Sequence, residues 1–506
     1  MNLPMLRRPR ILTVLLVGGA LIHVLAGCDK KETSATHLTG AIAPGASTAA
    51  TTATQPALAD GDIAQAVRRY MQEDNALRAE HVQIGVIQGI ATISGSVGNM
   101  LAKERALHVT ETIRGVRSVV DQVTVTPIAT TDEQLKAGVM AALRHDLATR
   151  PLTVGVAAKQ GVVTLSGTAE SWQQRNLVAD VAKTVRGVTG IDNELAVHYA
   201  TNRTEAEMMA DVRSRIANDV WMDGNPLLVT VTGHTVKLRG VVGSVSQKSR
   251  AIADAWVLGV DAVDDSGVGV DWLARNDQRR ATDYPLKSDD EISQAVRDSF
   301  RFDPRLKLLV PQAAVQYGIV TLSGAVDSQK ARGAAEADAR DTIGVWSVRN
   351  EVVVQPIGSP TDADIQHGVK RVLGEDLLLP NAGEIQASTT KGKVALTGML
   401  ASGFERYVVI ADVESVPGVR EIDDGMTVKR APAEVKSSIE DRLFWDPMIQ
   451  RDQVSIAIAS DGVVTLSGTL DSWGEIRAAV DDARWAGAKR VVNVLKLKNH
   501  PDVAAP

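Results

Sequence analysis

A short glycine motif recurs at nearly even intervals along this chain, and its period limits the fold more than any other feature. Four copies read Thr-x-Ser-Gly, and two are looser variants of the same motif. The copies end at Gly95, Gly167, Gly240, Gly324, Gly398 and Gly468. Neighbouring copies are roughly 70 to 84 residues apart, a spacing that is typical of an array of small domains.

A second glycine follows each motif after about 20 residues, and the stretch between the two glycines has the pattern of a helix. These second glycines are Gly115, Gly187, Gly259, Gly344, Gly418 and Gly487. Because many helices end in a residue with positive φ, we expect the second glycines at C′ positions. Both sets are interpreted as structural turn glycines.

Upstream of each motif, apolar residues at i, i+4 and i+8 form one stripe of an amphipathic helix, as in Ile292, Val296 and Phe300. Two strand-like runs lie between this stripe and the motif, and a third alternating run follows the second glycine. Each unit therefore reads helix–strand–strand–helix–strand. The predicted fold class is α+β, with six tandem αββαβ modules, each a three-stranded sheet with two helices on one face.

Two strand motifs of this unit resemble those of the BON domain (bacterial OsmY and nodulation, also called transport-associated). The fourth unit carries both motifs, in Val320–Val326 and in Gly344–Asn350. The third unit departs most, because Arg239 replaces the small residue before its glycine and its last strand is one residue out of register. The resemblance covers roughly residues 60 to 500 and implies a non-enzymatic role at phospholipid surfaces, in envelope integrity or in osmotic-stress protection.

A higher level of repetition groups the units into two blocks of three, because Asp62–Arg68 matches Glu291–Arg297. The block boundary, at 275–288, is the longest linker and is expected to be the most flexible hinge. The predicted segments are a signal peptide at 1–27, a disordered tether at 28–59, repeat 1 at 60–128, repeat 2 at 130–200, repeat 3 at 204–274, the linker at 275–288, repeat 4 at 289–357, repeat 5 at 361–430 and repeat 6 at 431–500.

The N-terminus resembles the export signal of bacterial lipoproteins. A basic start precedes the apolar run Ile11–Ala26, which is short for a spanning helix and suits a signal peptide. The run ends in Leu25, Ala26, Gly27 and Cys28, which match the lipobox and hold the only cysteine of the chain. The resemblance implies cleavage before Cys28 and acylation of that residue. An uncleaved anchor helix is the alternative.

The resemblance also implies a periplasm-facing, lipid-anchored protein of the cell envelope. Asp29 favours retention in the inner membrane, with the outer membrane as the alternative. The Thr-, Ala-, Ser-, Gly- and Pro-rich segment that follows holds too few large apolar residues to form a core, and therefore predicts the disordered tether.

The sequence predicts no catalytic residue, no metal site and no cofactor. The nine histidines form no His-x-x-x-His pair and fall at unrelated positions of the repeats. Ser166, Ser323 and Ser467 recur, but no basic partner recurs with them, and Arg239 and Thr397 take the same position elsewhere. A formal net charge of -6 also argues against nucleic-acid binding.

Six aromatic residues recur at two junctions of the repeat and are candidate interface residues. Three follow the first glycine at the start of the second helix, and three lie near the end of the first helix. They are Trp172, Phe404 and Trp473 at the former junction, and Trp221, Phe302 and Trp445 at the latter. They are interpreted either as amphipathic anchors at a lipid or partner surface or as plugs at the ends of very small cores.

Together these features favour a non-enzymatic array that binds or scaffolds at the membrane or in the periplasm. Its expected partners are the membrane, through the N-terminal lipid, and phospholipid head groups or envelope proteins. The alternative is a spacer in a transport or secretion assembly that binds proteins or peptidoglycan through its sheet edges. A third hypothesis, a small-ion or solute sensor, rests only on the association of the family with stress.

Overall fold

The computed structural model describes residues 58–504 except 79, 128, 223–226, 282–285, 380–381 and 499. The predicted signal peptide, the lipobox and nearly all of the predicted tether lie outside these residues. The part that is described contains six units in the predicted helix–strand–strand–helix–strand order. The predicted α+β architecture of six small modules is therefore confirmed.

The first block holds three repeats. Repeat 1 comprises α1 (Asp60–Glu73), β1 (His81–Ile87), β2 (Ile90–Val97), α2 (Met100–Glu111) and β3 (Ser118–Val125). Repeat 2 comprises α3 (Asp132–His145), β4 (Val154–Lys159), β5 (Val162–Ala169), α4 (Trp172–Lys183), β6 (Gly190–Asn193) and β7 (Ala196–Val197). Repeat 3 comprises α5 (Glu205–Asn218), β8 (Leu228–Thr232), β9 (Thr235–Val242), α6 (Val245–Ala255) and β10 (Ala262–Val270), and α7 (Trp272–Ala281) follows it.

The second block repeats this order. Repeat 4 comprises α8 (Asp289–Phe302), β11 (Gln312–Gln316), β12 (Ile319–Ser323), β13 (Ala325–Val326), α9 (Gln329–Arg340), β14 (Ser347–Asn350) and β15 (Val353–Val354). Repeat 5 comprises α10 (Asp362–Glu375), β16 (Gln386–Thr390), β17 (Lys393–Thr397), β18 (Met399–Leu400), α11 (Gly403–Glu414), β19 (Glu421–Asp424) and β20 (Thr427–Val428). Repeat 6 comprises α12 (Pro432–Trp445), β21 (Val454–Ile458), β22 (Val463–Leu470), α13 (Trp473–Trp485), β23 (Arg490–Leu497) and β24 (His500–Ala504).

Each repeat forms its own small sheet, in which the second strand lies in the middle. In repeat 1, β1 pairs antiparallel with β2, and β3 returns through α2 to pair parallel with β2 on its other side. Repeat 3 has a register shift between Asp264 and Gly267 on β10. This extra residue is the physical basis of the one-residue offset in its last strand.

The apolar stripe of each first helix is buried against its own sheet. In repeat 4, Ile292, Val296 and Phe300 are at most 2% exposed and pack with Val320 and Leu322 of the central strand. The other repeats have equivalent buried clusters, so each module is built around a core of its own. The outer sides of these helices carry the polar residues, as the sequence period requires.

An acidic residue at the start of most first helices fixes the neighbouring hairpin. In repeat 4, Oδ2 of Asp289 accepts a hydrogen bond from the backbone N–H of Tyr317 at 2.8 Å, and Oδ1 accepts one from Gly318 at 2.9 Å. Both turn residues have positive φ, which matches a tight type I′ hairpin. The sequence analysis missed this contact, although an acidic residue recurs at that position in repeats 1 to 5.

All six second glycines adopt positive φ, between 91° and 104°. The predicted C′ position is nevertheless wrong for five of them, because only Gly487 directly follows its C-cap residue, Ala486. In the others, as at Gly115 after the C-cap Thr112, the glycine lies in the turn that leads to the last strand. A Cβ at Gly115 would lie 2.7 Å from Cδ1 of Ile63, the first stripe residue of α1, so close packing also requires glycine there.

The first half of the segment predicted as a linker, 275–281, belongs to helix α7, so the expectation of a linker is wrong for that half. Asp271 caps α7 through hydrogen bonds from the backbone N–H groups of Leu273 and Ala274. On this helix, Arg279 is 2% exposed and forms a 2.9 Å ion pair with Glu475 of repeat 6, whose side chain is 0% exposed. The long spacing between repeats 3 and 4 indicated a linker, and the local sequence does not show that the partner of Arg279 lies in a distant repeat.

Replacing a second glycine should destabilise the fold through local crowding. In Gly418→Ala, the new Cβ would lie 2.4 Å from Pro360 and 2.9 Å from Ile365 at a φ of +96°, so we expect a loss of about 2 kcal/mol or more in the free energy of unfolding. The matched control is Gly374→Ala in α10, where the same methyl group meets open space in a helix and should stabilise by about 0.5–1 kcal/mol. Urea denaturation of the two variants, followed by circular dichroism, measures both effects. Equal effects of the same sign would contradict the crowding argument.

Candidate functional site

The six candidate aromatics lie at contacts between repeats. Phe404, Trp445 and Trp473 are at most 8% exposed. The other three are half-buried. The contacts are Trp172 with Trp256, Phe404 with Trp485, Trp473 with Trp346, Trp445 with the core of repeat 1, Trp221 with the core of repeat 6 and Phe302 with the core of repeat 3. The rings therefore join repeats to one another, and the structure gives no support to their interpretation as anchors at a lipid surface.

Contacts between the two blocks occur in matching pairs. The backbone N–H of Arg114 in repeat 1 donates to the carbonyl of Trp445 in repeat 6 at 2.7 Å, and that of Ile343 in repeat 4 donates to Asn218 in repeat 3 at 2.8 Å. Trp445 and Asn218 are the last residues of α12 and α5. The first helices of repeats 6 and 3 therefore contact the other block in the same way, as expected of a duplicated three-repeat block.

Arg114 strengthens the contact between repeats 1 and 6. Its side chain is 7% exposed and donates to the backbone carbonyls of Asp446, at 2.5 Å, and Ile449, at 2.6 Å. Burial lowers its pKa to about 10. Its guanidinium carbon lies 5.0 Å from the ring centroid of Trp272 on α7, within cation–π range. One buried arginine thus joins repeat 1, repeat 6 and the helix between the blocks.

A cavity of about 360 Å³ lies where repeats 1, 3, 5 and 6 meet, and we call it the inter-repeat cavity. Its walls come from α1, α2, α12 and α13, with the starts of α6 and α11. Both aromatic and charged side chains line it. They include Tyr70, Arg105, Arg442, Trp445, Asp482 and Trp485.

Part of the charge in this cavity is paired. Nε of Arg105 lies 2.7 Å from Oδ2 of Asp74, and its guanidinium carbon lies 3.8 Å from the ring centroid of Phe404 in repeat 5. Burial is the main cause that lowers the pKa of His108 to about 4, and Arg105 adds to it. His108 is therefore neutral at physiological pH and adds no positive charge to the wall.

Arg442 and Asp482, by contrast, remain unpaired. No described side chain lies within ion-pair or hydrogen-bond distance of either charged group, and Nε of Arg442 and Oδ2 of Asp482 are buried without a hydrogen-bond partner. The guanidinium carbon of Arg442 instead lies 5.1 Å from the ring centroid of Tyr70. Burial, reinforced by Asp446, raises the pKa of Asp482 well above its usual value.

Repeat 3 contains the same two residues in a closed pair. Arg215 and Arg442 each precede the last stripe residue of the first helix, and Asp254 and Asp482 lie equally far after the N-cap serine of the second helix. In repeat 3 an Nη atom of Arg215 lies 3.0 Å from Oδ1 of Asp254. The fold therefore accommodates this pair when it is closed, and its open form is particular to the cavity.

Asp482 belongs to a series of aspartates at one position of the repeat, which the sequence analysis missed. Repeats 3 to 6 have an aspartate at this position of the second helix, whereas repeats 1 and 2 have buried valines there. The series is Asp254, Asp338, Asp412 and Asp482. Burial raises the pKa of Asp338 to about 8, and burial together with Asp376 raises that of Asp412 to about 9. A recurrent charge at a position that is apolar elsewhere was the signal that could have revealed it.

Comparison with known proteins identifies the repeated unit. The BON domain model matches residues 59–127, 131–199, 204–267, 288–356, 361–430 and 433–499. The chain belongs to the BON domain family. The BON repeats are also similar to the osmotically-inducible protein Y of Escherichia coli (strain K12), at 28% identity over 143 residues, which cover 27% of this chain and 71% of that protein.

Among solved structures, two of CdsD, a structural protein of the type III secretion system of Chlamydia trachomatis, match at 16% identity. One is its C-terminal domain, which covers 42% of this chain and 100% of that chain with a TM-score of 0.12. The other covers 43% of this chain and 99% of that chain with a TM-score of 0.11. Similarity at this level carries no argument about the BON repeats.

Each BON sheet exposes at least one large apolar side chain on the face that its helices leave open. These residues alternate with buried neighbours along their strands, so they point away from the core. They are Ile87 and Ile90 in repeat 1, Val162 in repeat 2, Leu228 in repeat 3, Val353 in repeat 4, Met399 in repeat 5 and Val494 in repeat 6, with exposures of 42% to 75%. We call these the open sheet faces.

The recurring serines lie on the central strands of their BON sheets, with Ser166 exposed and Ser323 and Ser467 half-buried. Within the described residues, no group of three or more His, Cys, Asp or Glu side chains is placed to hold a metal ion. In the same part of the chain, no helix is both long enough and apolar enough to cross a membrane.

The aspartate series predicts a pH dependence of stability. The pKa of Asp412 is raised from 3.8 to about 9 in the folded chain, so the folded state holds this proton more tightly than the unfolded state. Its stabilising contribution is complete below about pH 4 and is lost as the pH rises towards 9. Asp412→Asn removes this loss, so the stability of the variant relative to the native chain should increase from pH 4 to 9.

Urea denaturation at a series of pH values measures this difference. Asp290→Asn, at an exposed position of α8, is the control and should leave the shape of the profile unchanged. A constant difference between Asp412→Asn and the native chain over the whole range would contradict the prediction.

Proposed function

We propose that this BON protein is a non-enzymatic, lipid-anchored protein of the bacterial cell envelope that binds or scaffolds at a membrane surface from the periplasm. The observation that carries the proposal is the set of open sheet faces, one in each repeat. Many weak apolar contacts that act together give firm attachment without a deep pocket. The similarity to the osmotically-inducible protein Y agrees with a role under osmotic stress.

The position of the helices explains why the sheets are left for binding. Second helices pack against other repeats, as α2 packs against α6 and α11 against both α9 and α13. The candidate aromatics are used in the same contacts. Because helices and rings are occupied inside the assembly, the surface available to a partner is formed by open sheet faces and edge strands.

Lipid attachment is the first testable part of this proposal. Cys28 follows Leu25, Ala26 and Gly27 at the end of an apolar run, which is the arrangement that lipoprotein processing requires. In Cys28→Ser the thioether cannot form, so we expect the protein to leave the membrane fraction or to accumulate as the uncleaved precursor. Fractionation and mass spectrometry of the N-terminal peptide measure this. The control Ser34→Ala keeps the thiol and should be processed normally.

Vesicle binding is the second testable part. The mature polypeptide from Asp29 onward, made without its lipid, should float with phosphatidylcholine vesicles as well as with anionic ones, because its net charge of -6 provides no general attraction to anionic lipid. Replacing Ile87, Ile90 and Val120 of repeat 1 by serine removes exposed apolar area and should lower the partition coefficient by about tenfold or more.

The matched control replaces three other exposed apolar residues, Leu308, Leu309 and Val310, which precede β11 and lie outside the open sheet faces. This variant should bind vesicles like the native chain. If the native polypeptide floats with neither type of vesicle, the result favours the alternative, a spacer that binds proteins or peptidoglycan through its sheet edges.

A further inference from the structure

The unpaired Arg442 and Asp482 are costly unless something joins them. Burial of a polar atom without a hydrogen-bond partner destabilises a fold, and Nε of Arg442 and Oδ2 of Asp482 are both buried in this way. The pair of Arg215 and Asp254 shows that this fold can bring the same two residues into an ion pair. The open pair in the cavity is therefore energetically unfavourable for the fold, and unfavourable local arrangements of this kind are typical of functional sites.

The cavity has the size and the walls of a small-ligand site. Its volume of about 360 Å³ falls at the lower end of the range of roughly 300–1,000 Å³ that such sites occupy. Trp445 and Trp485 supply apolar surface, while Tyr70 lies beside the guanidinium of Arg442. Charged groups of both signs therefore face one space that is bounded by aromatic rings.

We propose that the inter-repeat cavity binds a small zwitterion, with its carboxylate on Arg442 and its ammonium group on Asp482. A planar guanidinium is well suited to a carboxylate, and a buried carboxylate is a strong acceptor for an ammonium group. A ligand bound in this way bridges Arg442 and Asp482. In repeat 3, the equivalent residues Arg215 and Asp254 contact each other directly. This inference goes beyond the proposed function and does not rest on it.

Ligands of a single charge fit these observations less well. An anion on Arg442 leaves the buried Oδ2 of Asp482 without a hydrogen-bond partner, and a cation on Asp482 leaves Nε of Arg442 without one, so either ligand satisfies only half of the open pair. Asp446 lines the same cavity and raises the pKa of Asp482, so an ammonium group is favoured at the end of the cavity that holds these two carboxyl groups. The ammonium end of the ligand would therefore lie towards α13.

The test uses the full-length chain in detergent and three zwitterions with increasing distance between their charges: glycine, γ-aminobutyrate and ε-aminocaproate. Butyrate and butylamine at equal ionic strength are the single-charge controls. We expect at least one zwitterion to change the tryptophan emission saturably and to raise the Tm, because Trp445 and Trp485 line the cavity. The single-charge controls should do neither at the same concentration.

Variants identify the site. Arg442→Gln and Asp482→Asn should each weaken binding by about tenfold or more, the effect expected from the loss of one charged hydrogen bond. The matched controls are Arg215→Gln and Asp254→Asn, which change the closed pair of repeat 3 and should alter the affinity by less than about twofold.

Stability without ligand gives a second readout. Asp482→Asn removes a carboxyl group whose ionisation is opposed by burial and should raise the Tm of the unliganded protein at neutral pH, whereas Asp254→Asn breaks a closed pair and should lower it. Failure of all three zwitterions to bind, equal binding of butyrate or butylamine, or unchanged binding by Asp482→Asn would each overturn the proposal. A fall in Tm for Asp482→Asn equal to that for Asp254→Asn would also overturn it, because the aspartate would then be a structural partner.

Discussion

The structure depends on the packing of repeats against one another through their helices. A module of about 70 residues buries only about 60% of the surface of its unfolded chain, so a single repeat has little stability to spare. Most cores of the described repeats are accordingly extended by residues from another repeat, as Trp445 extends the core of repeat 1 and Phe302 that of repeat 3. Stability is therefore shared among the repeats, as in other tandem arrays, although here the contacts are not limited to neighbours in sequence.

The same packing explains where charge is tolerated inside the assembly. Helix surfaces that meet between repeats still carry polar residues, because in each module they lie on the outer side of the small core. Arg114 shows one solution, in which the guanidinium is satisfied by backbone carbonyls of repeat 6. The pair of Arg279 and Glu475 shows another, in which two charges are buried together. Arg442 and Asp482 have neither solution, because Nε of Arg442 and Oδ2 of Asp482 are buried in the wall of the inter-repeat cavity without a hydrogen-bond partner.

Features within one repeat could be predicted from the sequence, and features between repeats could not. The stripe of Ile292, Val296 and Phe300 and the positive φ of Gly115 follow from local periodicity and backbone sterics, which a sequence shows directly. The burial of Arg279 on α7 involves Glu475 of repeat 6, and the spacing between repeats 3 and 4 alone indicated a linker. The six candidate aromatics lie at or near the ends of helices, as the sequence predicted. Whether each ring contacts solvent or another repeat depends on long-range packing, which the sequence does not show. The open pair in the cavity needed coordinates, because the same residue types form a closed pair in repeat 3.

The contact between Arg114 and Asp446 joins residues that are 332 positions apart. Chains are synthesised from the N-terminus, and domains generally fold in that order. Repeat 1 can therefore fold its own core early. The surface of repeat 1 that repeat 6 covers, however, remains exposed to solvent until almost the whole polypeptide has been made. The final closure of the assembly is thus a late event, and a truncated or stalled chain would present the unsatisfied docking side of its first module to chaperones and proteases.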